Sequence, residues 1–261
     1  MGADENAVPW LLLPTYNEAE NVAAMVAAVR AKLPAGAQIL IIDDASPDGT
    51  GAIADRLAAE DAGVEVLHRP EKEGIGPAYL AGFRRALAGG ADLILEMDCD
   101  FSHDPAYLPR LLEAARRADL VIGSRYVAGG GVSDWGPLRR AISRGGCAYA
   151  RLALGVEVQD LTGGFKCFHR RVLEAIDLDS IEARGYAFQI EMTYRALQAG
   201  FKVLEVPIVF RDRRAGTSKM DRSIVAEAAL QVPRMRLANG RRESPRAVTD
   251  RVVGEFDSGR R

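Results

Sequence analysis

The sequence predicts an α/β protein with a mostly parallel sheet flanked by helices. Two observations carry this. Short apolar runs alternate with stretches of helical periodicity from residue 8 onward. Four of these regions end in marked polar segments, "PTYNE", "DDASPDGT", "DCD" and "GSRY". An open parallel sheet delivers the carboxyl ends of its strands to one edge, and ligands bind there.

The elements follow in order. Residues 8–14 read as a buried strand. Asn17 reads as a helix N-cap with Glu20 three residues on, and Val22, Met25, Val26 and Val29 then recur at helical spacing. Residues 38–43 form a second strand, followed by the turn chemistry of "ASPDGT". A helix over 51–62 leads to a strand over 64–68, and "GIGPAYLAGFRRALAGG" is a glycine-rich loop entering a helix. Residues 91–97 are the next strand. Asp104 caps the following helix with proline at its first position, and Leu108, Leu111 and Leu112 line it. "DLVIGSR" is a further strand.

After Tyr126 the rhythm changes. Residues 138–154 read as a helix interrupted at Gly145-Gly146. Residues 170–176 and 187–199 read as helices and 202–210 as one strand. Residues 223–232 read as a helix stopped by Pro233. With no repeat and no clear linker, residues 1–237 read as one domain, and the polar residues 238–261 as a disordered tail.

Bulk properties narrow the function. The chain has 261 residues, 48% hydrophobic and 27% charged, with a net charge of −2. Nothing in that balance draws it to nucleic acid. Cys99, Cys147 and Cys167 are odd in number and lack metal-ligand spacing, which points to a reduced compartment. The polar N-terminus is not a secretory signal, and no run of 18 apolar residues exists. Membrane association is therefore peripheral, through a partner, or absent.

The chemistry centres on Asp98 and Asp100. Two residues apart on an extended chain, they face one side about 6.6–7 Å apart, with Cys99 pointing inward. Two hard oxygen ligands suit one Mg2+ or Mn2+; the bland alternative is a solvated acidic turn. His103 reads as a packing histidine. "GTGAIA" formally matches a dinucleotide fingerprint, but Asp43, Asp44 and Asp48 would repel a pyrophosphate there. An acidic lip suits a base or ribose instead. Arg125, Arg139, Arg140, Arg144, Arg211, Arg213, Arg214 and Lys219 lie in or beside loops of the second half, and arginine's fork suits phosphate.

Taken together, "LLLPTYNEAENV", "IIDDASPDGT", "EMDCDFSHDP", "GSRYVAGGGVSDWGPLRRAISRG", "DLTGGFKCF", "GYAFQIEMTYRA" and "DRRAGTSKM" resemble the dolichyl- or polyprenol-phosphate mannose synthases. These are inverting family-2 glycosyltransferases with the GT-A fold. The resemblance spans about residues 8–233. It implies a nucleotide-binding half over about 8–126 and an acceptor half over about 127–237. By resemblance, Pro14, Tyr16, Glu18, Ile41 and Asp43 hold the guanosine of GDP-mannose. Asp98, Cys99 and Asp100 contact the nucleotide sugar, and Asp98, Asp100 and Ser102 hold the metal, Ser102 standing where some members carry glutamine. Arg125, Arg213 and Lys219 bind diphosphate or lipid phosphate, with Arg139 and Arg144 on the acceptor side. Gln189 and Glu191 lie near the sugar.

The implied reaction transfers mannose from GDP-mannose to a membrane polyprenyl phosphate, with inversion. The implied location is peripheral, at the cytoplasmic face of a membrane, where a membrane-embedded partner protein could hold the chain. Three alternatives stand: UDP-glucose or another donor; a hydroxyl acceptor with Glu191 or Asp160 as base; and a non-catalytic scaffold on the same fold.

Overall fold

The computed structural model describes residues 7–181, 183, 185–212 and 231–237. Its main sheet has seven strands in the order β3-β2-β1-β4-β7-β5-β8. These are β1 (Pro9–Thr15), β2 (Gln38–Asp43), β3 (Val64–His68), β4 (Leu93–Glu96), β5 (Leu120–Ser124), β7 (Lys166–His169) and β8 (Val203–Pro207). All pairings are parallel except those of β7, which runs antiparallel between β4 and β5. The helices are α1 (Val22–Arg30), α2 (Thr50–Glu60), α3 (Ile75–Ala88), α4 (Leu108–Ala115), α5 (Pro137–Leu154), α6 (Arg170–Ala175) and α7 (Gly185–Gln198).

Successive strand residues point to opposite faces, so each strand feeds two cores. Leu11, Leu13, Ile39 and Ile41 pack with Val22, Met25 and Val29 of α1 and Leu108 and Leu111 of α4. Trp10, Leu12, Leu40 and Ile42 pack on the other side with α3, α5, α6 and α7. Both faces are covered, which explains why β1 and β2 are near-continuous apolar runs. The second core is organised by aromatic rings: Tyr79 stacks with Phe83 at 6.2 Å and with Phe188 at 6.1 Å, and Phe83 meets Phe168 edge-on at 5.6 Å.

Several sequence expectations are corrected. Asn17 does not cap a helix. It adopts a left-handed conformation with φ 59°, and α1 begins only at Val22, after a turn in which the Glu18 carbonyl accepts the N–H groups of Asn21 and Val22. Gly145-Gly146 does not interrupt α5, which runs through both, because a helix tolerates glycine at about 1 kcal/mol each. The strand expected over 202–210 is two strands. After Pro207 the chain leaves the main sheet, and β9 (Val209–Phe210) pairs with the short β6 (Gly131–Val132) in what reads as loop. Strand β7 was not anticipated. Pro233 does not stop a helix either, since residues 231–237 are helical through it. Residues 223–230 of that expected helix, and the tail over 238–261, lie outside the described residues. By contrast Asp104 caps as expected: its Oδ1 accepts the Ala106 N–H at 2.9 Å, with Pro105 in the first turn.

Phe83 is fully buried and touches two of the other rings. Phe83→Ala removes the centre of this cluster and is expected to lower unfolding stability by about 3–5 kcal/mol in denaturant titrations. A loss below about 1 kcal/mol would show that the ring stack is not a principal support of this layer.

Candidate active site

The carboxyl ends of β1, β2, β4 and β5 and the amino end of β7 share one edge of the sheet. The first two loops there are stitched together. The N–H groups of Asn17, Glu18 and Ala19 donate to Ser46 Oγ (3.1 Å), Thr50 Oγ1 (2.9 Å) and Asp48 Oδ2 (3.0 Å). Burial pushes the Asp48 carboxyl up, but hydrogen bonds from Thr50 and the Ala19 backbone win, and its pKa lies below the ordinary value. Asp43 ends β2, buried, with Thr15 Oγ1 at 3.3 Å and the Ser46 N–H at 3.2 Å. Gly51 lets α2 approach closely, since a Cβ there would sit 2.9 Å from Asp43 Oδ2 and would displace that carboxylate. Asp44 pairs with Arg69 at 2.6 Å, and burial leaves its pKa raised despite that partner. Lys72 lies 3.8 Å above the Tyr16 ring.

The structure thus brings Tyr16, Glu18 and Asp43 to one rim. The Ile41 side chain is fully buried in the core, packed beside Leu13. Its part is to hold β2. Pro14 is partly buried beside it in β1.

β4 closes at Glu96, and the chain bends at Cys99 and Asp100 rather than continuing as a strand. Phe101 then takes φ 62°, which reverses the chain tightly. The Ser102 N–H donates to Asp100 Oδ1 at 3.0 Å and fixes that carboxylate. The Asp98 N–H donates to His103 Nδ1 at 3.2 Å, which assigns the proton of neutral His103 to Nε2. His103 is itself buried between Phe165 (5.1 Å) and Phe210 (5.2 Å), a packing histidine that also positions Asp98. The Cys99 side chain points inward and is buried, and burial raises its thiol pKa well above the ordinary value.

Asp98 and Asp100 with Ser102 suit a divalent cation. Ser102 Oγ is fully buried and lacks a hydrogen-bond partner among the described residues, an orphaned oxygen of the kind a cation or its water satisfies. Among the described residues no group of three His, Cys, Asp or Glu side chains forms a complete metal site. Mg2+ ordinarily takes one or two carboxylates and completes its shell with substrate phosphates and water.

Arg125 follows β5, and its surroundings were only partly legible. Its Nε and Nη2 form a two-pronged pair with Asp160 at 2.7 and 2.6 Å, and Nη2 also donates to Thr162 Oγ1 at 2.8 Å. The Arg125 N–H donates to Asp160 as well. Burial opposes both charges, but each partner more than compensates, so the pKa of Asp160 is lowered and that of Arg125 raised. Glu205 on β8 holds the Gln159 and Asp160 N–H groups at 2.8 and 2.9 Å and so fixes this loop.

The expected arginine set partly converges. Arg125 lies 5.1 Å and Arg144 5.7 Å from the Tyr126 ring. Arg125 lies 5.8 Å and Arg139 4.1 Å from Trp135, and Arg139 also pairs with Asp212. Phe210 links the set to Asp98, because its ring meets Arg125 at 5.6 Å and His103 at 5.2 Å. Arg211 is exposed and faces Asp104 at 3.8 Å, and Arg140 is exposed on α5. Arg213, Arg214 and Lys219 lie outside the described residues.

On α7, Gln189 is buried, with its Oε1 lacking a partner among the described residues. Glu191 is held by Arg195 at 2.8 and 2.5 Å. Beneath the site Glu96 and Lys166 face each other across β4 and β7, both fully buried. Burial pushes Glu96 up to about 7 and Lys166 down to about 8, and each restrains the other's shift. The Gln189 side chain favours the charged form of Glu96, yet neither Glu96 oxygen meets a donor at hydrogen-bond distance among the described residues.

Sequence reading missed Asp160 as the partner of Arg125, His103 as the support of Asp98, and Arg69 behind Asp44. Each partnership joins residues on different elements, and local spacing carries no signal of it. Asp160→Asn leaves Arg125 buried without its counter-charge and is expected to cost about 3–5 kcal/mol in urea unfolding at neutral pH. Because the folded pKa of Asp160 is depressed, its contribution is complete above its ordinary value of 3.8 and is lost as pH falls through the folded value. The gap between wild type and variant therefore closes in acid; an unchanged gap there would contradict the assignment.

The chain is similar to known proteins along most of its length. Residues 10–177 match the family model described as Glycosyl transferase family 2. An undecaprenyl-phosphate mannosyltransferase of Micrococcus luteus is 50% identical over 227 residues, covering 87% of this chain and 93% of that protein. A polyprenol monophosphomannose synthase of Mycolicibacterium smegmatis is 48% identical over 224 residues, covering 85% and 84%. Among solved structures, glucosyl-3-phosphoglycerate synthase from Mycobacterium tuberculosis, in complex with Mn2+, UDP and glucosyl-3-phosphoglycerate, superposes with a TM-score of 0.62 at 19% identity, covering 90% of this chain and 80% of that one. The fold is the GT-A glycosyltransferase fold expected from the motifs, and the chain belongs to glycosyl transferase family 2.

Proposed function

We propose that this chain transfers mannose from GDP-mannose to a polyprenyl phosphate with inversion, giving polyprenyl-phosphate β-mannose and GDP. The observation that carries the choice of acceptor is the state of the two candidate bases. A hydroxyl acceptor needs a carboxylate to take its proton. Asp160 is fully buried against Arg125, and Glu191 is ion-paired to Arg195. A phosphate acceptor is already anionic at neutral pH and needs placement rather than deprotonation. The names of the two relatives near 50% identity support the same acceptor class.

In this reading Pro14, Tyr16, Glu18 and Asp43 form the rim for the guanosine, with Lys72 bracing Tyr16. Arg125, Arg139 and Arg144, gathered around Tyr126 and Trp135, orient the acceptor phosphate, and Arg213 and Lys219 join them by resemblance alone. A phosphate oxygen of the acceptor bonds to the anomeric carbon from the face opposite GDP. The bond from that carbon to the diphosphate oxygen breaks, and its electron pair leaves with GDP, so α becomes β and no proton moves. Asp98, Asp100 and Ser102 would hold Mg2+ or Mn2+, which when bound would supply positive charge to the departing diphosphate. Ser102 and His103 hold the two aspartates in place for that ion.

A water-soluble nucleotide sugar and a bilayer-anchored acceptor meet at a membrane surface. Among the described residues no helix is long and apolar enough to cross a membrane. Helix α5 offers a peripheral alternative. Leu138, Ile142, Tyr149 and Leu152 recur at helical spacing on its outer face, and the two leucines are 74% and 81% exposed. The helix also carries Arg139, Arg140, Arg144 and Arg151 and no acidic residue, a charge complementary to anionic lipid. This supports a peripheral position at the cytoplasmic face, with a membrane-embedded partner protein as the other means of attachment.

The test of the reaction is a panel of labelled GDP- and UDP-sugars with polyprenyl phosphate and either metal ion. Transfer from GDP-mannose is expected, and Asp100→Ala is expected to abolish it while the variant still unfolds in one cooperative transition. Transfer only from UDP-glucose would replace the donor assignment. For the membrane contact, wild type is expected to float with anionic phospholipid vesicles and Leu138→Glu/Leu152→Glu to stay behind; equal flotation of both would remove α5 from the account.

A further inference from the structure

The rim built from the first two loops is rich in acceptors, and its backbone donors are engaged. Glu18, Asp43, Asp44 and Asp48 are all carboxylates. The N–H groups of Asn17, Glu18 and Ala19 already donate to Ser46, Thr50 and Asp48. Those of Asp44 and Ser46 donate to the Thr15 carbonyl at 3.1 Å and to Asp43 Oδ2 at 3.2 Å. Guanine presents N–H groups along one edge, which suit carboxylates. Along another it presents O6 and N7, which are acceptors and which carboxylates repel. A rim that takes guanine needs a donor for that second edge.

The loop between β3 and α3, residues 69–74, carries two cations, Arg69 and Lys72. Arg69 is buried and committed. Its Nη1 donates to Asp44 Oδ1 at 2.6 Å, its Nη2 donates to Glu73, and its backbone N–H donates to the Asp43 carbonyl at 2.8 Å. These bonds close the loop on itself and fasten it to the end of β2. Lys72 lies within the fastened loop and is exposed. Its Nζ stands 3.8 Å from the centre of the Tyr16 ring, across on the loop after β1. An ammonium over a ring turns part of its three N–H groups to the π face and keeps the rest for an acceptor. The ring also holds the long side chain in place beforehand, which lowers the entropy lost when a ligand binds.

We propose that Lys72 is a specificity-determining residue for the donor, reading the carbonyl edge of its base, with guanine O6 as the acceptor. The inference rests on the proposed guanosine rim of Tyr16, Glu18 and Asp43. Adenine presents an amino group where guanine presents O6, and an ammonium meets that group unfavourably. Asp43 then matches the donor edge of the base and Lys72 its acceptor edge. A lysine that only braced the loop, or only attracted the diphosphate, would act on every nucleoside diphosphate alike. Selectivity among bases therefore separates these roles.

The experiment uses the full chain with Mn2+. Dissociation constants for GDP, inosine diphosphate (IDP) and ADP are measured for wild type and Lys72→Met, together with kcat for GDP-mannose. Inosine keeps O6 and lacks the 2-amino group, so IDP isolates the carbonyl. In Lys72→Met, GDP and IDP are each expected to weaken by about 10-fold, and ADP by no more than about 3-fold. The preference for GDP over ADP narrows accordingly. Since the lost contact is remote from the reacting atoms, kcat is expected to stay within about 3-fold of wild type. An equal loss for GDP and ADP would overturn the proposal, as would no loss for GDP. If wild type bound UDP more tightly than GDP, the guanosine reading would fail by itself. UDP against CDP would then decide Lys72 in the same way, because uracil presents a carbonyl where cytosine presents an amino group; an unchanged ratio of those two affinities in Lys72→Met would overturn the inference. Wild type that bound none of these nucleotides would overturn both readings.

Discussion

Asp98 and Asp100 repel each other, and the surrounding structure is arranged to hold them in place regardless. Two neighbouring carboxylates each disfavour the other's charged form. Left to themselves they would turn away into solvent. Here the Ser102 N–H fastens Asp100, and His103, wedged between Phe165 and Phe210, fastens the backbone of Asp98. A tight reversal at Phe101 makes both contacts possible. The repulsion is thus built into the folded state, and a divalent cation bound between them would offset it.

The remainder of the fold delivers partners to that point. Parallel strands place the loops after β1 and β2 on one side, stitched by three N–H bonds into an acidic rim. The antiparallel β7 does the opposite service. By entering the sheet from the other direction between β4 and β5, it brings its leading loop to the same edge, and Asp160 of that loop clamps Arg125. A wholly parallel sheet would have left that loop at the far end. The arginine cluster is then assembled on aromatic faces, Tyr126 and Trp135, which supply a rigid, weakly polar floor for cationic groups.

The sequence made the first half of the protein readable, and the reasons are physical. β1 and β2 are buried on both faces, so they appear as apolar runs, and their polar ends mark the site edge. Asp98 and Asp100 announce themselves by spacing. The second half hides its logic. β7 is four residues, follows two glycines and carries a lysine, so no strand pattern could form. The pairing of Asp160 with Arg125 spans 35 positions. Asn17 looked like a cap because a polar residue ahead of a helix usually is one, but the chain needed a left-handed turn there. Ile41 fell within a motif carried over by resemblance, and only burial shows that its side chain faces the core.

The central claim is a metal-dependent nucleotide site built on Asp98 and Asp100. The most direct measurement is thermal unfolding of the full chain with GDP, with and without Mn2+ or Mg2+. A ligand that binds only the folded state raises the unfolding temperature, its stabilisation growing as the logarithm of one plus free ligand over Kd. The account predicts a clear rise with GDP and metal together and little with either alone. No rise with any nucleoside diphosphate, or an equal rise when the metal is chelated, would contradict it.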